Sequence, residues 1–185
     1  MTKILLALAC VALALLLVQR LFFGFMAQAP EDYAETTPPF DLRAALTGPL
    51  KASGVIYGPT GRVAARFTAD MEGTWDAEGG TLAESFRYDS GRTQERAWRI
   101  LPGPDGRFTA TADDVAGAGE GVVSGATVVL RYRLRLPEAA GGWEVDVTDW
   151  LYRGTDGVIV NRAQFRRFGL LVGELVGSIR PAAGA

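Results

Sequence analysis

Arg62-Val63-Ala64-Ala65-Arg66-Phe67-Thr68-Ala69-Asp70-Met71-Glu72-Gly73-Thr74-Trp75 is the stretch whose reading decides the fold. Its odd positions (Val63, Ala65, Phe67, Ala69, Met71, Gly73, Trp75) are apolar or small, and its even positions are mostly charged or hydroxylated. A period of two means a strand with one face buried and one solvated. Working outward, similar runs predict strands over 81–88, 92–101, 107–113, 117–124, 127–136, 143–152, 158–167 and 170–179, and the period of two already begins at Leu50. Between them stand Pro59-Thr60-Gly61, Asp76-Ala77-Glu78-Gly79, Asp89-Ser90-Gly91, Pro102-Gly103-Pro104-Asp105-Gly106 and Asp156-Gly157. Connections this short join only antiparallel neighbours. About nine or ten strands without crossover helices predict an all-β, up-and-down, lipocalin-like barrel, because closure removes exposed edges. A two-sheet β-sandwich is the alternative.

Turn lengths extend the reading to register. Pairing Trp75 with Gly80 sets Met71 opposite Glu84, and a three-residue loop at Asp89-Ser90-Gly91 sets Glu84 opposite Arg96 and Leu82 opposite Trp98. Continued across Pro102–Gly106, the pattern puts Ile100 opposite Phe108, Arg96 opposite Ala112 and Gln94 opposite Asp114. One inward face thus carries Glu84, Arg96, Gln94 and Asp114 among Leu82, Phe86, Trp98 and Phe108. Farther on, Asp149 shares the face of Val147 and Leu151, and the turn at Asp156-Gly157 is read as bringing Arg162 opposite or diagonal to it, with Trp150 adjacent. A lone buried charge costs several kcal/mol, so Glu84 with Arg96 and Asp149 with Arg162 are the expected pairs. In the hairpin closed by Leu136 and Trp143, Arg135 faces Glu144 and Arg133 faces Asp146, which makes the Arg131, Arg133, Arg135 stripe a solvated face of cross-strand ion pairs. Gly117, Gly119 and Gly121, two apart, clear one face of a strand and form no phosphate loop.

Counting excludes much chemistry. The chain has 185 residues, 19 basic and 21 acidic, no histidine and one cysteine, Cys10. Histidine-based triads, His-ligated zinc and an intrachain disulfide are ruled out, and no other metal-ligand spacing or cofactor motif is present. From residue 30 onward 17 basic residues face 21 acidic ones, a charge of −4, which argues against nucleic acid as a partner.

The N-terminus reads as a targeting segment, 1–29. An apolar run from Ile4 to Val18, then Gln19-Arg20, then Leu21 to Ala27, suits an uncleaved helical anchor with Arg20 reaching the headgroups. Cleavage after Ala27-Gln28-Ala29 and lipid attachment at Cys10, behind Ala7-Leu8-Ala9, are the other two fates. Residues 30–48 read as a linker and a short helix capped by Asp41, 49–180 as the barrel, and 181–185 as a disordered tail.

Gly73-Thr74-Trp75, Leu82-Ala83-Glu84-Ser85-Phe86-Arg87-Tyr88-Asp89-Ser90-Gly91, Arg96-Ala97-Trp98, Ala112-Asp113-Asp114-Val115-Ala116-Gly117-Ala118-Gly119, Asp149-Trp150-Leu151-Tyr152, Asn161-Arg162 and Phe168-Gly169 together resemble the bacterial family called domain of unknown function 3833, over about Glu31 to Ile179. The resemblance implies a cell-envelope protein, often a lipoprotein, with a lipocalin-like fold. It implies no established activity and no catalytic residue. The sequence around Cys10 departs from the lipoprotein pattern.

The expected function is therefore an exported, periplasm-facing, membrane-anchored or secreted barrel that binds a small amphipathic or lipid-like ligand. Glu84, Arg96, Trp98, Asp114, Asp149, Trp150 and Arg162 are the lumen candidates. A structural or partner-binding module with a packed core is the alternative. Third comes an enzyme using Glu84 or Asp114 as general acid or base, with Arg96 as electrostatic stabiliser.

Overall fold

The computed structural model describes residues 2–138 and 141–182, without the side chains of 19–22. Among these, ten antiparallel strands close into one barrel in the order β1-β10-β9-β8-β7-β6-β5-β4-β3-β2. They are β1 Gly48–Tyr57, β2 Val63–Trp75, β3 Gly80–Tyr88, β4 Thr93–Pro102, β5 Arg107–Thr111, β6 Gly119–Ser124, β7 Thr127–Arg135, β8 Glu144–Arg153, β9 Ile159–Arg167 and β10 Leu170–Pro181. Each strand lies beside its sequence neighbours, and β1 meets β10 from Leu50↔Pro181 to Tyr57↔Glu174. The fold is the up-and-down lipocalin-like barrel, and the sandwich alternative falls.

Most turn-derived registers hold: Trp75↔Gly80 and Met71↔Glu84, Glu84↔Arg96 and Leu82↔Trp98, Arg135↔Glu144 and Arg133↔Asp146. The β4–β5 hairpin differs by two residues, with Ile100↔Ala110 and Pro102↔Phe108. Gly103 N–H donates to Arg107 O and Arg107 N–H to Pro104 O, so the loop is tighter than its five turn-forming residues imply. A two-residue shift keeps every side chain on its face. The expected strands 107–113 and 117–124 are also shorter than expected, because Val115 leaves the ladder to bridge Leu134.

The barrel is packed at one end and hollow at the other. At the packed end Asp41 caps a short helix, α2 (Leu42–Ala45), by accepting from Ala44 N–H. Phe40 and Leu46, on either side of α2, are buried among Leu50, Met71, Leu82, Ile100, Phe108 and Ile179. Gly121 makes room here, since a Cβ on it would stand 2.1 Å from the Phe108 ring. Gly73 does the same for the plug itself: a Cβ there would lie 1.6 Å from Leu46 O. Gly73→Ala should therefore push the plug outward and cost about 2 kcal/mol as overpacking. Thermal denaturation would read this as a drop of about 5 °C, and an unchanged midpoint would show that the plug gives way freely.

Residues Thr2–Phe22 form helix α1, whose apolar side chains from Ile4 to Val18 are largely exposed. Among the described residues no helix is long and apolar enough to cross a membrane; the Arg20 side chain, expected to reach the headgroups, lies outside the described residues. The stretch read as a linker, together with residues 25–28 at the end of the expected targeting segment, is fixed to the outer wall of the barrel. Phe25 is buried with Val129 and Trp150, alongside Tyr33 and Tyr152. Both tyrosine hydroxyls donate to Gln28 Oε1, at 2.5 Å from Tyr33 and 2.6 Å from Tyr152. Ser124 Oγ donates to Pro30 O, Ala126 N–H to Thr36 Oγ1, and Arg153 to Pro39 O. At the other terminus β10 runs on to Pro181, and Ala182 N–H donates to Pro49 O. The rest of the expected disordered tail, 183–185, lies outside the described residues.

Candidate functional site

The hollow half of the barrel encloses a cavity of about 580 Å³. Its walls are apolar: Ile56, Phe67, Phe86, Phe165, Val172 and Leu175. Tyr57, Arg92, Leu136 and Pro137 line it at the end that carries the β1–β2, β3–β4, β7–β8 and β9–β10 turns. A packed-core module would leave no void larger than about one water, so the hollow half speaks against that alternative.

The polar residues gather on the cavity floor, where the hollow half meets the packed one. Cross-strand pairing on β3 and β4 puts Glu84 beside Arg96. The β5–β6 connection supplies Asp114 by lying against β7, with Arg135 N–H donating to Asp114 O and Ala116 N–H to Arg133 O. Asp114 Oδ1 stands 3.1 Å from Arg96 Nε, too misaligned for a hydrogen bond. Arg96 Nε and Nη2 and Asp114 Oδ1 are buried without a hydrogen-bond partner. The Arg96 guanidinium is instead cradled by aromatic faces, 4.2 Å from the Trp98 centroid and 5.6 Å from that of Tyr132. Trp98 and Tyr132 meet edge to face at 5.2 Å.

Asp149 completes the floor, and its partner is not the expected one. The β8–β9 register is Asp149↔Ala163 and Trp150↔Arg162, one residue away from the predicted register. Gly154 N–H donates to Val158 O around a three-residue loop ending in Gly157, at φ +82°. A one-residue slip reverses every face. Asn161 thus points inward and donates to both Asp149 Oδ1 and Trp150 O. Trp150 and Arg162 are corrected to the outer wall. Trp150 is buried under Phe25 and Tyr33, and Arg162 pairs with Glu174 at 2.6 Å beneath the Phe25 ring. Sequence reasoning noted Asn161 only within a family motif and did not place it in the lumen.

Arg96 therefore faces three carboxyl groups on a floor largely buried from solvent, and the consequence is electrostatic. Burial pushes the Glu84 carboxyl up to about 7; the Arg96 charge opposes this, and the Asp149 and Asp114 carboxylates reinforce it. Burial likewise pushes Asp149 up to about 6, against the Asn161 amide and Arg96. Among the described residues no group of His, Cys, Asp or Glu is placed to hold a metal ion. The floor offers a guanidinium with free donors, a carboxyl poised to exchange a proton near neutral pH, and aromatic faces beneath an apolar chamber.

Comparison with known proteins supports the architecture. One similar solved structure is the S-type phycobiliprotein lyase CPES from Guillardia theta, with TM-score 0.55 and 7% identity over 77% of this chain and 91% of that chain. Another is EF1p2_mFAP2b bound to DFHBI, with TM-score 0.42 and 9% identity over 75% of this chain and 95% of that one. At these identities the first likeness is one of fold, and the second carries no argument. No curated protein matches the chain. The model of one family, described as protein of unknown function (DUF3833), matches residues 19–180, a span that takes in the whole barrel up to Arg180 in its last strand, every floor residue and the segment docked on the wall; the chain belongs to that family.

Proposed function

We propose that the protein binds a small amphipathic, lipid-like molecule in the lumen, its apolar body among Phe86, Phe165, Leu175 and Ile56 and its polar head on Arg96. The observation that supports this best is the floor itself: a chamber of about 580 Å³ ends on a buried guanidinium whose Nε and Nη2 make no hydrogen bond. Apolar walls with a few convergent polar groups are what small-molecule sites use, and an unmade buried hydrogen bond costs about 1–3 kcal/mol until something makes it. The head would offer an acceptor to Arg96 and a donor to Glu84 or Asp149. The protein would act at the bacterial cell envelope, facing the periplasm, held there by its N-terminal segment; the bare apolar surface of α1 supports that placement.

Native mass spectrometry of the full chain, extracted in mild detergent, is expected to show a co-purifying small molecule. Uptake of Nile red supplies a second measurement. Ala65 lines the cavity towards its open end, and Ala65→Trp should block entry and weaken Nile red binding about tenfold or more, a loss of about 1.4 kcal/mol, without lowering the melting temperature. A protein that is ligand-free and takes up no apolar probe would defeat the reading.

A buried carboxyl that titrates near 7 beside a guanidinium also suits acid–base catalysis, and this favours one second reading, a hydrolase or isomerase with Glu84 as the proton carrier. Turnover of lipid esters that Glu84→Gln abolishes while folding is kept would support it; inactivity across a broad substrate panel would remove it.

A further inference from the structure

Two hairpin tips beside the cavity opening carry a surface that the lumen reading does not use. The β9–β10 hairpin turns on Phe168-Gly169, both at positive φ, +51° and +76°, between the paired residues Arg167 and Leu170. Such two-residue turns favour Asn-Gly, because a bulky side chain in the left-handed region is strained. Phe168 nonetheless stands there and is 88% exposed, so neither the turn nor the core accounts for it. Leu170 beside it is 70% exposed, and Trp143, on the neighbouring β7–β8 tip, is 52% exposed. Arg167 joins the two tips, its guanidinium 3.6 Å from the Trp143 centroid and 5.1 Å from that of Phe168. Among the described residues no carboxylate lies within ion-pair reach of Arg167, whereas Arg133 and Arg135 on the same hairpin as Trp143 are paired with Glu144.

We propose that this Trp143–Arg167–Phe168–Leu170 tip docks into the headgroup layer of an anionic lipid bilayer. Trp143, with an apolar ring and a polar N–H, is the kind of side chain that settles at the membrane–water interface, and the exposed Phe168 and Leu170 supply the apolar surface that interfacial segments bury. An arginine held between the Trp143 and Phe168 rings with its charge unspent adds attraction to lipid phosphates. Phe168 and Leu170 project from the tip of a hairpin, exposed and not set in a groove, and so suit insertion between headgroups better than the seating of a peptide. The same two hairpins contribute Leu136, Pro137, Phe165 and Val172 to the cavity lining, so docking would set the mouth of the lumen against the lipid. The docking surface stands on its own observations and does not depend on the lumen being occupied.

The test uses the full chain reconstituted from mild detergent into two vesicle types, phosphatidylcholine alone and phosphatidylcholine with about 30 mol% phosphatidylglycerol, each doped with lipid brominated near the headgroup end of its acyl chains. Trp143 emission is taken as the difference between the wild type and Trp143→Phe, which removes the emission of the other tryptophans; attachment through α1 is common to all variants, so the contrast among variants and between vesicle types reports the tip. About half or more of that emission should be quenched in the anionic vesicles and clearly less in the neutral ones, as interfacial aromatic depth implies. Phe168→Asn, which suits the turn better and should fold at least as well, is expected to reduce the quenching severalfold while leaving Nile red uptake in detergent intact. Arg167→Gln should level the two vesicle types. Trp143 emission that stays unquenched, is quenched equally in both vesicle types, or is indifferent to Phe168→Asn would overturn the proposal and turn the search toward a protein partner. Quenching as expected in a protein that is ligand-free by native mass spectrometry and takes up no Nile red would sink the lumen reading and leave this one standing.

Discussion

Arg96→Met is expected to destabilise the barrel by about 3 kcal/mol and to lower its melting temperature by roughly 10 °C. The side chain is only 14% exposed and is the cation that the Glu84, Asp114 and Asp149 carboxyls share on the cavity floor. Methionine fills similar space and keeps contact with Trp98 and Tyr132, so the loss reports charge rather than volume. Removing one member of a buried ionic cluster strands the others in a medium that cannot solvate them. The cost should shrink when Asp114→Asn is added, because Asp114 is the nearest carboxylate, 3.1 Å away; the double-mutant cycle should return a coupling of about 1 kcal/mol or more. Urea denaturation of the four proteins at neutral pH would measure it. A loss for Arg96→Met below about 1 kcal/mol would mean that the floor is far wetter than its burial implies.

Glu84→Gln should have little effect on stability in acid and a clear stabilising effect in base. A carboxyl that ordinarily titrates near 4.5 titrates at about 7 in the folded barrel, so between those values the native state holds a proton that the unfolded chain has released. Stability from this group is fully present below about 4.5 and is lost as the pH rises through about 7. Asp149, raised from 3.8 to about 6, contributes with the same sign in a lower window. Glutamine mimics the protonated acid and does not titrate. The variant should match the wild type within about 1 kcal/mol at about pH 5 and exceed it by about 2–3 kcal/mol at about pH 8, since each tenfold difference in proton affinity between the folded and unfolded chain is worth about 1.4 kcal/mol. The contrast between variant and wild type isolates Glu84 from Asp70, Asp76 and Asp89, whose carboxyls are held low by Lys51 and Arg87, by the Gly79 N–H and Arg99, and by Arg66. Chemical denaturation at several pH values checks it, and a difference that does not change with pH would show that folding leaves the Glu84 carboxyl at its ordinary pKa.

The barrel was legible because alternation and turn length are local properties. Asp76–Gly79 and Asp89-Ser90-Gly91 fixed two registers in a row, and with them the pairing of Glu84 with Arg96. The contact between Arg96 and Asp114 was not legible, since it depends on the β5–β6 connection leaving its ladder to follow β7. The Asp149–Arg162 expectation failed on one residue of loop. Thr155-Asp156-Gly157 obeys the same three-residue rule, with glycine in the left-handed position, that served at Asp89-Ser90-Gly91. Applied there, it would have found Asn161 and sent Arg162 and Trp150 outward. Nothing local announced that Phe25 and Tyr33 would cover Trp150, because a docked segment without periodicity reads like a free one.

That docked segment alters what a tether means for this molecule. Between the last residue of α1, Phe22, and the turn that begins at Phe25, only Phe23 and Gly24 are left undocked, a leash of about 7 Å at full stretch. Any surface that captures the helix therefore brings the barrel along at very high local concentration. Encounters between its exposed tips and that surface become a matter of orientation alone, with no search through space.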